Sequence, residues 1–146
     1  MLLGGGESGG VGIAHHMPER DGLLVNLLLC EAMAVTGKSL AELVDELESY
    51  FGRYYYARRD LRIDPEIVEM LRTVLPGLNP PMVAGRVPVH VSHMDGLRLE
   101  FDDESWILLR PSQTEPLIRV YAEAQTIEMR DELLDAGIDL AHGEFT

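Results

Sequence analysis

Residues 110–124, RPSQTEPLIRVYAEA, place a guanidinium, two hydroxyls and several backbone N–H groups directly ahead of an alternating apolar run. Such a turn suits a phosphate. Arg110 can present a bidentate fork to two phosphate oxygens. Ser112 and Thr114 offer O–H donors on either side of Gln113, and successive backbone N–H groups can form an anion nest. Pro111 stiffens the turn and Pro116 ends it before the strand. The same residues also suit an ordinary polar loop in which Arg110 pairs with Glu115, and chemistry alone leaves both readings open. A second cluster, GGGESGG at 4–10, is glycine-rich enough for its backbone to approach a ligand closely. Within it Glu7 can accept from a sugar hydroxyl, and Ser8 can donate or accept. It equally suits a flexible segment. It is not a dinucleotide fingerprint, because no long strand precedes it and no helix opens directly from it.

Other reactive types have plainer readings. His15 and His16 are adjacent, a spacing that rarely aims two imidazoles at one ion, and no cysteine or carboxylate stands nearby at ligand spacing. Arg20 and Asp21 open a helix, either as surface charge plus cap or with the cation facing the glycine loop. Tyr54 to Tyr56 and Trp106 read as sheet residues. Cys30 reads as an inert hydrophobe on a buried helix. The acids Glu128, Asp131, Glu132, Asp135 and Asp139 read as a solvated helix face.

The elements that must position these groups follow from periodicity and capping. A helix is expected from about Arg20 to Val35, ended by Gly37 in the left-handed conformation. Ser39 with Glu42 three residues on forms a capping box for a helix over 40–51, where Leu40, Leu43, Val44, Leu47 and Phe51 share one face. Residues 54–63 alternate roughly and predict a strand. Asp64-Pro65 reads as a cap followed by proline in the first helical position, with the helix running to about Leu75. Strands are expected at 87–92, 97–101, 105–109 and 117–124, with Asp95-Gly96 as a hairpin turn. Thr126 caps a last helix to about His142.

This pattern predicts an α+β protein in two parts. Residues 1–53 form a helical remnant of an α/β domain: a glycine loop and two helices without a sheet of their own. Residues 54–146 form a small domain with a four-stranded, mainly antiparallel sheet and helices on one face. The run LLVNLLLCEAMAV is apolar nearly all the way round. A helix of that kind is normally buried on several sides. Wetting several leucines costs several kcal/mol at ~25 cal/mol per Å². A sheet from elsewhere, or a second chain, is expected to cover it.

Composition narrows the functional classes. The 146-residue chain is 46% hydrophobic and 25% charged, with a formal net charge of −13. That field disfavours phosphate backbones and anionic lipid, so neither nucleic acid nor a membrane is an expected partner. A phosphate must instead be held by local donors against the global charge. With one cysteine there is no internal disulfide, which fits a reducing, cytoplasmic setting. No signal peptide is visible, and the apolar run 23–35 is too short to span a bilayer.

The two clusters, in this order and separation, resemble the α-D-phosphohexomutases, and more narrowly their phosphoglucomutase/phosphomannomutase group. The resemblance covers nearly the whole chain through GGGESGGVG, HMPERDGLL, TGKSLAELVDELESYFG and DGLRLEFDDESWILLRPSQTEPLIRVYAEA. It implies that residues 1–53 are the C-terminal remnant of the family's third domain, with its sugar loop, and 54–146 its fourth, phosphate-gripping domain. Arg110, Ser112, Gln113 and Thr114 then match the phosphate loop, and Glu7, Ser8, His16 and Arg20 the sugar side of the cleft. Two positions depart from the family pattern. Gly6 stands where the first Glu of a Gly-Glu-x-Ser-Gly loop is expected, and Gln113 stands where Gly or Asn is usual, a strain of about 1–2 kcal/mol if that position needs a positive φ.

The family's phosphoserine loop and Asp-rich metal loop have no counterpart here, so the resemblance implies no catalytic residue and no metal ligand in this chain. It implies a parent phosphohexomutase, an isomerase interconverting hexose 1-phosphate and hexose 6-phosphate with Mg²⁺ and glucose 1,6-bisphosphate. This chain would supply sugar recognition and distal-phosphate binding, and would be inactive alone. Its expected partners are the phosphohexose and the enzyme's N-terminal domains, or a second copy through the uncovered helix. The alternative is a non-catalytic phosphosugar-binding or protein-interaction module, complete from Met1.

Overall fold

The computed structural model describes residues 3–6 and 9–143 and divides between Gly52 and Arg53 into two compact units. In the first unit, strands β1 (Leu3–Gly5) and β2 (Val11–Ile13) pair antiparallel, with Gly5 opposite Val11 and Leu3 opposite Ile13. The glycine loop expected to stand without a sheet is therefore the turn of a hairpin. Gly6 N–H donates to the Gly10 carbonyl at 2.9 Å and Gly9 N–H to the Gly6 carbonyl at 3.0 Å. Gly9 has φ +81°, a left-handed conformation that glycine adopts without steric cost. Strands of three residues, half of them glycine, carry no alternation that sequence could reveal.

Two helices follow, α1 (Gly22–Thr36) and α2 (Leu40–Phe51). Asp21 caps α1 by accepting from Leu23 N–H at 3.0 Å and Leu24 N–H at 3.1 Å. Gly37, at φ 68°, ends it by donating to the Met33 carbonyl. The Ser39–Glu42 capping box opens α2 as expected. Neither helix contains a buried residue. Cys30, expected in a buried setting, is exposed, because the small hairpin and α2 of its own unit leave its helix uncovered. Among those residues, no single helix is long and apolar enough to cross a membrane.

The second unit is built on five antiparallel strands: β3 (Tyr55–Arg62), β4 (His90–Ser92), β5 (Leu97–Glu100), β6 (Trp106–Pro111) and β7 (Leu117–Ala124). They lie in the order β3-β7-β6-β5-β4. Residues 54–63, read separately from the four-stranded sheet, join it as an edge strand, with Tyr55 opposite Ala124 and Arg62 opposite Leu117. The expected strand at 87–92 shortens to three residues; Pro88, which has no N–H for the ladder, lies in the lost part. Helices α3 (Pro65–Val74) and α4 (Ile127–Ala141) close one core with the sheet. Leu71 and Leu75 contribute from the α3 side, Leu133, Leu134 and Leu140 from α4, and Leu97, Leu99, Ile107, Leu109 and Val120 from the strands. Each fully buried Leu or Ile adds about 1.5–3 kcal/mol relative to exposure.

Three further details depart from expectation. Asp64 makes no side-chain cap bond; α3 begins on Pro65, whose missing N–H lowers the demand for one. The acidic face of α4 is not wholly solvated, because Arg59 on β3 binds Asp135 and lies 3.8 Å from Asp131. The strand expected to end at 109 continues through Arg110 and Pro111, so the loop proper begins at Ser112.

Candidate functional site

In the second unit, Arg110 is the penultimate residue of β6, fixed in direction by pairing with Arg119 on β7. Its side chain is 41% exposed, and its Nε lies 3.1 Å from Asp95 Oδ2. Glu115, the partner read from sequence, instead lies 3.8 Å from Arg119 and 3.9 Å from Arg62. Asp95 reaches Arg110 because the β4–β5 turn passes tight against β6. Gly96 has φ +119°, and a Cβ there would stand 2.2 Å from the Leu109 carbonyl oxygen. The hairpin glycine thus brings the acid to the cation.

The loop between β6 and β7 is held largely by its own backbone. Ser112 N–H donates to the Leu117 carbonyl at 2.9 Å, and Leu117 N–H to the Glu115 carbonyl at 2.9 Å. Ser112 is buried. Its hydroxyl oxygen accepts from Thr114 N–H at 3.3 Å and Glu115 N–H at 3.2 Å. Two N–H groups expected to line an anion nest are therefore turned onto Ser112. Its hydroxyl hydrogen remains available to donate, since both contacts use it as acceptor. Gln113 does not have a positive φ, so the anticipated strain is absent. Gln113 and Thr114 are exposed.

Two recesses flank this loop. One, of about 240 Å³, is lined by Arg110, Gln113, Asp95 and Gly96 together with Arg72 of α3. The other, of about 340 Å³, is lined by Gln113, Thr114, Glu115 and again Arg72 and Glu69. Arg72 donates to the Ser112 carbonyl and, at 2.8 Å, to Glu69 Oε2. Sequence reasoning missed Arg72, because it sits forty residues from the loop and reads as an ordinary basic residue in a last helical turn. It also missed Arg119, which stands opposite Arg110 across two strands, its Nε buried without a hydrogen-bond partner among the described residues. Like charges directly opposite on neighbouring strands repel. Asp95 and Glu115 offset that repulsion in part, and an anion at the strand ends would offset it further.

In the first unit, a recess of about 640 Å³ is lined by the hairpin residues Leu3–Gly6 and Gly12–Ala14 and by Met17–Arg20. Arg20 lies across the glycines: a Cβ on Gly10 would be 2.4 Å from Arg20 Cδ, and one on Gly6 3.5 Å from its Nη2. The cation thus faces the glycine turn. Glu7 and Ser8, the expected sugar-reading residues, lie outside the described residues. His16 is not part of the recess lining. Its Nε2 is 2.8 Å from Asp21 Oδ2, so the imidazole supports the helix cap. The backbone N–H of Leu24 foremost, and then His16, hold the Asp21 carboxyl below its ordinary range. Among the described residues no group of three or more His, Cys, Asp or Glu side chains is placed to hold a metal ion.

Comparison with known proteins bears on both units. Residues 1–50 match the family model "Phosphoglucomutase/phosphomannomutase, alpha/beta/alpha domain III", and residues 83–139 match "Phosphoglucomutase/phosphomannomutase, C-terminal domain". A phosphoglucomutase/phosphomannomutase of Thermococcus kodakarensis is 33% identical over 138 residues, covering 94% of this chain and 28% of that protein. A phosphoglucosamine mutase of Methanococcus aeolicus is 36% identical over 141 residues, covering 93% of this chain and again 28% of the relative. The chain thus spans little more than a quarter of the length of these relatives. Among solved structures, the Paramecium phosphoprotein pp63/parafusin, a phosphoglucomutase in an open form, aligns with TM-score 0.69 at 24% identity, over 99% of this chain and 31% of that one. A phosphoglucomutase/phosphomannomutase family protein from Burkholderia thailandensis aligns with TM-score 0.65 at 22% identity, over 99% and 29%. With both clusters embedded in the matching segments and the fold shared, the chain belongs to the α-D-phosphohexomutase family, in its phosphoglucomutase/phosphomannomutase group, and corresponds to a C-terminal part of such proteins.

Proposed function

We propose that this chain is the substrate-positioning part of a phosphohexomutase, with residues 1–53 the remnant of its third domain and 54–146 its fourth. The parent enzyme interconverts hexose 1-phosphate and hexose 6-phosphate through a bisphosphorylated sugar that reorients between two phosphoryl transfers. Arg110, Ser112, Gln113 and Thr114 grip the phosphate that is not being transferred, and Glu7 and Ser8 with Arg20 read the sugar hydroxyls. His16 acts on that side through Asp21. Glucose 1,6-bisphosphate and Mg²⁺ belong to the parent's chemistry. Holding the spectator phosphate orients the reacting one, and orientation of this kind lowers a barrier by several kcal/mol, on the order of an effective-molarity gain. Alone, the chain has no mutase activity.

The observation that carries this reading is the placement of Arg110: at a strand end, 41% exposed, on an open recess beside a loop of hydroxyls, in a chain whose net charge is −13. Calorimetric titration of the chain with inorganic phosphate and with glucose 1,6-bisphosphate tests it. Both are expected to bind the wild type and to lose at least tenfold in affinity in Arg110→Ala, the size of one charge-assisted hydrogen bond. Binding that survives the substitution removes the loop from the site.

A second reading draws on the unburied apolar faces of α1 and α2. In it the chain is a non-catalytic module whose helices are an interface. On the first reading the same faces are covered by further parts of the longer enzyme, and the description of the first matching family model as alpha/beta/alpha supports a sheet there.

A further inference from the structure

The geometry points to Arg72 as a positioning residue for the phosphate loop, a role that rests on the phosphate-gripping reading of that loop. Arg72 stands in the last turn of α3, and its guanidinium bridges two acceptors on different elements: the Glu69 carboxylate of its own helix and the main-chain carbonyl of Ser112. Ser112 is the pivot of the loop. Its N–H is tied to Leu117, and its hydroxyl oxygen collects the N–H groups of Thr114 and Glu115. Clamping its carbonyl therefore fixes the peptide plane between Ser112 and Gln113, and with it the direction of the Gln113 N–H. Arg72 also forms part of the wall of both recesses beside Gln113. The planar fork of a guanidinium reaches the two acceptors with separate nitrogens in one fixed plane, whereas the three rotatable donors of an ammonium share a single nitrogen and set no such plane. Glu69 holds one side of the fork, so the other is aimed at the loop before any ligand arrives. Arg72 thus presets the loop that Arg110 and Thr114 use.

The test uses the full chain with Arg72→Gln and Arg72→Lys, inorganic phosphate as probe, and amide hydrogen exchange as a second readout. Arg72→Gln is expected to weaken phosphate binding about tenfold, the loss of one charge-assisted bond. It is also expected to speed exchange at Thr114 and Glu115 about tenfold, while amides of β5 and β7 keep their protection. Arg72→Lys is expected to fall with Gln, since charge without the rigid fork does not fix the direction of the Ser112 carbonyl. Full recovery by Lys reduces the role to charge and overturns the proposal. So does a loss of protection spread over the whole sheet, which marks a purely structural residue. If Arg110→Ala abolishes phosphate binding while Arg72→Gln leaves affinity and loop exchange unchanged, the inference falls and the phosphate reading stands. If the wild type ignores phosphate, that reading falls, and with it Arg72 as a residue that serves phosphate binding.

Discussion

Leu134 on α4 is 1% exposed, whereas Leu28 on α1 remains 42% exposed, although both are leucines in fifteen-residue helices of one chain. In the second unit, two helices and a sheet close on each other, so an apolar side chain finds a partner within its own unit. In the first, α1 is apolar nearly all round while the two-stranded hairpin is too small to cover it. The contrast teaches that a helix can be correctly specified by its ends, with Asp21, Gly37, Ser39 and Glu42 all capping as sequence suggests, and still lack the packing that normally supplies most helical stability. The sharpest way to break the comparison is a matched pair of truncations. Leu134→Ala is expected to cost about 2–5 kcal/mol in urea unfolding followed by far-ultraviolet circular dichroism, to which the helices of both units contribute. Leu28→Ala is expected to stay within about 0.5 kcal/mol. A comparable cost at Leu28 means that its face is covered in solution, and dependence of that cost on protein concentration would assign the cover to a second copy.

What could be read in advance follows the same division. Signals confined to a few neighbouring residues were legible: the Ser39–Glu42 box, the Asp95-Gly96 turn, the alternation of β3. The hairpin β1–β2 was not, because three-residue strands rich in glycine have no apolar face to set a period. The candidate site was legible only as a set of residue types. Arg110, Ser112 and Thr114 announce themselves by type and spacing. Their actual partners do not, because Asp95, Arg72 and Arg119 reach them through a hairpin turn, a helix end and a neighbouring strand. Ser112 shows the limit most clearly: a hydroxyl at ligand spacing is also a hydroxyl at the spacing that accepts from N–H groups two and three residues on, and the fold uses it that way.

A middle-sized effect sharpens the comparison from within the second unit, where polar groups are also shared between distant segments. Arg86 donates to Ser105 Oγ at 2.8 Å, lies 2.7 Å from Asp103 and 3.1 Å from Asp102, and sits 4.7 Å over the Phe101 ring. Desolvation raises the Asp103 carboxyl, but hydrogen bonds from Arg86 and Ser105 outweigh it and bring the value from 3.8 to about 2. A carboxylate depressed on folding stabilises the native state above its unfolded value, and that stabilisation is lost as pH falls through the folded one. The cluster's contribution is thus complete above about pH 4 and fades toward pH 2. Arg86→Ala is expected to cost about 1–2 kcal/mol at neutral pH, kept modest by solvent screening. Between pH 4 and 2 the variant should also lose less stability than the wild type. Parallel pH curves for the two proteins would remove Arg86 as the cause.

The smallest effect lies in the first unit and tests whether α1 stands on local terms. Asp21 accepts from Leu23 and Leu24 N–H, and the Leu24 bond foremost, with His16, holds its carboxyl below the ordinary range. By the same sign rule, the cap supports the helix above the unfolded carboxyl value and weakens as pH falls through the depressed one. Asp21→Asn keeps an acceptor for the two N–H groups while removing the titration. Far-ultraviolet circular dichroism of the wild type should then show a small loss of helicity on acidification that Asp21→Asn largely lacks at the same pH. In α4 the equivalent position is Thr126, which does not titrate, and its helix is pinned by Leu133 and Leu134. No acid sensitivity is expected from that cap. If the wild type and Asp21→Asn lose helicity together, the Asp21 cap is not the source of the loss, and the Glu42 carboxylate of the α2 capping box, which the Ser39 N–H also holds below its ordinary range, is the group that carries it.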